Sequence, residues 1–123
     1  MPLNHALLAY DGSLKAQEAL FIAAYIAGQW KIPLDVITVG IDDLDRAIQE
    51  DAQKYLDAYN LNVNYVFSEG HEPAQIILNY IKEVNIDLLL LGGYSRHPLV
   101  EVVQGSDVDD ILRIINIPLI ICR

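Results

Sequence analysis

A chain of 123 residues, 53% of them apolar, has room for one domain around one core and leaves little for a second. Its 8 basic and 17 acidic residues give a formal charge of −9, and the basic ones are scattered, which argues against nucleic acid and anionic membrane as partners. The single cysteine, Cys122, excludes an internal disulfide and reads as a buried, inert thiol in an apolar run.

Strand and helix signals alternate from end to end. His5 to Tyr10 is a short apolar run stopped by Asp11-Gly12, the pattern of a buried strand, and Ser13 is placed to cap a helix. Ala16, Ala19, Leu20, Ala23, Ile26 and Ala27 recur at helical spacing, with Gly28 as the expected stop. Leu34 to Val39 is a second β-branched run ending at Gly40. Asp42 to Tyr59 reads as a helix with an acidic start and with Leu44, Ile48, Ala52, Tyr55 and Leu56 on its buried face. Leu61, Val63, Tyr65 and Phe67 alternate with polar residues, as expected of a half-exposed edge strand.

Pro73 stands at the first position of a third helix, whose buried stripe is Ile76, Ile77, Tyr80, Ile81 and Val84. Ile86 to Leu91 holds four consecutive leucines, so both faces of that strand are expected in the core, at the centre of a parallel sheet. A loop from Gly92 to about Gln104, a fourth helix marked by Val108, Ile111, Leu112 and Ile115, and a last strand over Pro118 to Cys122 complete the chain. The result is one α/β domain over residues 1–123, a doubly wound five-stranded parallel sheet with helices on both faces. No apolar run approaches the roughly 20 residues of a membrane span. Met1 to His5 lacks the regions of a signal peptide, so the expected location is cytoplasmic.

In such a sheet, with the common order 3-2-1-4-5, ligands bind where the winding reverses, between strands 1 and 4. The loops there are Asp11-Gly12-Ser13 and Gly92 to Ser106, the most glycine-rich turns in the chain. Gly105-Ser106 ahead of a helix offers backbone N–H groups, a hydroxyl and the helix dipole to an anion. Read without that ligand, Gly92 and Gly93 end a strand and Ser106 caps a helix.

At these residues the chain resembles the universal stress protein family, and the similarity covers essentially its whole length. The resemblance is carried by Ala9-Tyr10-Asp11-Gly12-Ser13, Gly70-His71-Glu72-Pro73-Ala74, Asp87 to Gly92, and Ile117-Pro118 before an apolar strand. Nucleotide-binding members carry Gly, two residues, Gly, nine residues, then Gly and Ser or Thr. Gly92 and Gly105-Ser106 keep that spacing, and Ser95 replaces the second glycine. Either Ser95 strains the loop or its hydroxyl itself meets a phosphate.

The resemblance implies bound ATP or AMP, with Asp11, Ala9 and Tyr10 beside adenine and ribose, and Val39 packed on adenine. It assigns Gly92, Ser95, Gly105 and Ser106 to ribose and phosphate. Arg96, His97 and Asp107 are further candidates read from their place beside that loop, and Asp107 departs from the small or apolar residue usual in the family. Asp107, Asp109 and Asp110 favour a helix N-terminus, and they would repel a triphosphate unless they point away or a divalent cation such as magnesium intervenes. No catalytic constellation is visible, so the expectation is a regulatory nucleotide-binding module with at most slow ATP hydrolysis. The alternative is a dimeric module of the same fold that binds no nucleotide. Homodimerisation through Pro118 to Cys122 is expected in either case.

Overall fold

The computed structural model describes residues 3–92 and 117–122. Five parallel strands, β1 (Ala6–Ala9), β2 (Leu34–Gly40), β3 (Val63–Glu69), β4 (Leu88–Leu91) and β5 (Leu119–Ile121), form one sheet in the order β3-β2-β1-β4-β5. Three helices connect the first four: α1 (Leu14–Trp30), α2 (Asp43–Leu56) and α3 (Pro73–Val84). The expected strand order is therefore observed.

Burial follows strand position. All four residues of β1 and of β4 are buried, as are all seven of β2, because helices cover both of their faces. At the edge, β3 is half-buried, as its alternating sequence requires. Side-chain alternation divides the core in two. Ala6, Leu8, Leu34, Val36, Leu88 and Leu90 meet α1 and α2 on one face. Leu7, Ala9, Ile37, Val39, Leu89 and Leu91 meet α3 on the other.

Three helix details differ from the sequence expectation. α2 ends at Leu56, short of Tyr59. α1 does not stop at Gly28 but continues to Trp30, and its cap is Lys31 in the left-handed region (φ 53°), whose N–H bonds the carbonyl of Ala27. In α2, Ala52 and Leu56 are buried, whereas Leu44 is exposed. Positions spaced by four drift about 40° per step around a helix, so Leu44 stands roughly 120° from Leu56.

Candidate functional site

The carboxyl ends of β1, β2 and β4 lie side by side, because Ala9 pairs with Ile37 on one flank and with Leu91 on the other. This is where the winding reverses. Ala9 and Val39 turn to the same face and share the apolar cluster with Leu91, Ala74 and Ile77. Tyr10 does not join them. Its side chain is buried on the opposite face, where burial first, and then Asp51 and Asp11, push its phenol pKa up. What Tyr10 gives to this end of the sheet is backbone: its N–H bonds the Ile37 carbonyl at 2.9 Å, and its carbonyl accepts from the buried Thr38 hydroxyl at 2.9 Å.

The β1–α1 turn is built for compactness. Asp11 Oδ1 accepts from the Ser13 N–H at 3.0 Å, Gly12 takes φ +80°, and Ser13 Oγ caps α1 by accepting from the Ala16 N–H at 3.1 Å. Asp11 is only partly buried, and its Oδ2 accepts no hydrogen bond among the described residues. The N-terminus of α1 thus opens beside a carboxylate at the end of the sheet.

Gly92 sits directly against that turn. A Cβ at this position would lie 2.1 Å from the Lys15 carbonyl oxygen and 2.4 Å from the Ala16 nitrogen. Glycine is required here by packing, whatever else the residue does. Ser95, Arg96, His97, Gly105, Ser106 and Asp107 lie outside the described residues.

Acidic residues crowd the neighbouring α2 start, and local bonds engage Asp42 and Asp45. Asp42 Oδ1 accepts from the Asp45 N–H at 3.0 Å, and Asp45 Oδ2 accepts from the Ile41 N–H at 2.8 Å, a reciprocal helix cap. Arg46 stacks 4.2 Å over Phe67. Among the described residues no group of three His, Cys, Asp or Glu is placed to hold a metal ion. At this end of the sheet Ala9 and Val39 share one face, and Asp11 and Gly92 flank the start of α1.

A second polar cluster lies at the opposite end of the sheet. Asp35, buried at the start of β2, accepts from the Tyr80 hydroxyl. His5 Nε2 comes to 2.9 Å from its other oxygen, outside hydrogen-bond alignment. Burial, and next the bond to Asp35, push the Tyr80 phenol up to about 12. The sequence reading did not single out Asp35, although an acid inside an apolar strand is itself a signal of a buried partner.

The match to known proteins is consistent along the chain. Residues 40–123 match the universal stress protein family. A universal stress protein of Synechocystis is 31% identical over 124 residues, 98% of this chain and 43% of that protein, so this chain spans less than half its length. One from Bacillus subtilis is 24% identical over 98% of this chain and 99% of its own. A universal stress protein solved in complex with cAMP shares the fold with a TM-score of 0.78, at 20% identity over 100% of this chain and 98% of its own. An Arabidopsis thaliana family protein solved with AMP bound does so at 0.69, with 12% identity over 97% of this chain and 90% of its own. No helix among the described residues is long and apolar enough to cross a membrane.

Proposed function

The chain belongs to the universal stress protein family, and on that footing we propose that it binds an adenine nucleotide, ATP or AMP, at the carboxyl ends of β1, β2 and β4. The observation that carries this reading is that β1, β2 and β4 end side by side where the winding reverses, with Ala9 and Val39 on one face and Asp11 in the turn that leaves β1. Val39 keeps a small exposed apolar edge at its strand end, against which a flat base can stack, and the Asp11 oxygen that accepts no hydrogen bond among the described residues suits a sugar hydroxyl. The solved relatives with cAMP and with AMP support the same reading. By the family pattern, Gly92, Ser95, Gly105 and Ser106 meet ribose and phosphates; Arg96 and Asp107 stand beside them in sequence, Asp107 where the family usually has a small or apolar residue, and magnesium accompanies a triphosphate to offset the local carboxylates. The role on this reading is regulatory, with at most slow ATP hydrolysis.

Thermal shifts test the assignment. Ligand at 100 times its dissociation constant stabilises the folded chain by about 2.7 kcal/mol. Asp11→Ala and Gly105→Val should remain folded and lose that shift for ATP and AMP. Wild-type shifts in both variants would place any nucleotide elsewhere. The same reading includes a homodimer through the sheet edge. There Leu119 and Ile121 are exposed while Ile120 packs inward, so Ile121→Lys is the apt variant to open that seam.

A further inference from the structure

α1 is apolar on both sides, and only one side meets the sheet. Its inward face buries Ala16, Ala19, Leu20, Ala23 and Ala27. Its outward face carries Leu14 (78% exposed), Phe21 (50%), Ile22 and Tyr25 (67%), spaced i, i+7, i+8 and i+11. That spacing makes a continuous stripe on a straight helix, the shape a second helix packs against. The stripe is also locally neutral in a chain of charge −9: Lys15 Nζ is paired with Glu18 Oε1 at 3.2 Å.

A hole lies on the same stripe. Phe21, Tyr25, Gly28 and Gln29 of α1, with Tyr55 and Tyr59, line an open cavity of about 380 Å³. Its aromatic wall is fixed by Phe21 on Tyr55 (ring centroids 5.1 Å apart) and by Tyr55 on Tyr59 (5.3 Å). The most exposed apolar knob of the helix, Leu14, stands fourteen positions, or about 21 Å, from Gly28.

We propose that the outward face of α1 is a self-association surface, on which two copies pack antiparallel about an axis near Phe21 and each inserts Leu14 into the other's cavity over Gly28. A two-fold arrangement satisfies knob and hole twice with one chain, whereas an unrelated partner satisfies neither by necessity. On α1 itself the pairing of Lys15 with Glu18 leaves no net charge along the stripe where two anionic copies meet. The exposed portions of Leu14, Phe21, Ile22, Tyr25 and Tyr59 amount to on the order of 500–600 Å² per copy, which brings a pair above the roughly 1,000 Å² of a specific interface. This surface is distinct from the β5 edge and does not depend on nucleotide binding.

Sedimentation velocity on four proteins decides it: wild type, Leu14→Glu, Ile121→Lys and the double variant, from 10 to about 200 µM. An acidic residue suits the first turn of a helix, so Leu14→Glu keeps α1 stable, which circular dichroism verifies. Ile121→Lys should still self-associate. Adding Leu14→Glu should weaken that association about a hundredfold, since each pair buries the residue twice. Gly28→Leu should act like Leu14→Glu by filling the hole. Its Cβ meets only Leu61, at an ordinary 3.6 Å. Higher salt should tighten the association by screening the net charge. Leu14→Glu with unchanged dissociation, a monomeric Ile121→Lys variant, or an association that salt dissolves would each overturn the proposal.

Discussion

Replacing Gly92 by alanine separates what this residue does for the fold from what the family pattern assigns to it. The added methyl carbon would lie 2.1, 2.2 and 2.4 Å from the Lys15 carbonyl oxygen, the Lys15 carbonyl carbon and the Ala16 nitrogen. All three are backbone atoms in the first turn of α1, so no side chain can swing aside. Either β4 or the helix start must move, and each is anchored: β4 is buried between β1 and β5, and the turn is held by Ser13 and Asp11. Overpacking in a closed core costs about 1–3 kcal/mol and occasionally more, and contact with rigid backbone belongs at the upper end. For 123 residues the unfolding entropy is about 0.26 kcal/mol/K, so 3 kcal/mol lowers the melting temperature by about 12 °C. Urea unfolding followed by circular dichroism measures it. A loss below about 1 kcal/mol would show that β4 and α1 are not pressed together as described, and would return Gly92 to a purely ligand-directed role.

Tyr80→Phe leaves the buried Asp35 carboxylate without its phenolic donor and should cost about 1–3 kcal/mol near neutral pH. Because the folded Tyr80 pKa lies above its ordinary value of 10, at about 12, wild type should hold that stability below pH 10 and lose it as pH rises towards 12. The variant should lack that part of the alkaline decline, and identical profiles from pH 9 to 12 would refute the coupling. Ser13→Ala removes the α1 cap and should cost about 1 kcal/mol in the same urea assay, while Ser13→Gly should cost only a few tenths.

Much of this architecture is legible in the chain because the core is regular. Leu88 to Leu91 is apolar at every position, and only a central parallel strand buries both faces of such a run. The alternation over β3 likewise marks an edge. What the sequence does not reveal depends on direction and on unusual backbone. Lys31 takes the left-handed cap that is expected of Gly28, and its N–H bond to the Ala27 carbonyl closes a last turn whose residues, 28 to 31, are exposed. Tyr10 stands next to Ala9 in sequence, yet strand alternation sends its side chain to the other face, away from Val39. The helical periodicity of α1 points to its inward alanines, and only the three-dimensional arrangement exposes Leu14, Phe21 and Tyr25 as an outward stripe. At the candidate site, turn chemistry and strand order mark the loops at Asp11 and Gly92, while Val39 is singled out by the family resemblance. The role of each toward a ligand rests on family pattern.

We propose one adenine nucleotide per chain, held where β1, β2 and β4 end. Isothermal titration of the purified protein with ATP, AMP and cAMP, each with and without magnesium, tests it most directly. One site per chain with a micromolar dissociation constant, about 8 kcal/mol of binding free energy, is the expected result for ATP or AMP. The absence of heat or thermal shift with any of them at millimolar concentration, in a chain that circular dichroism shows to be folded, would contradict it.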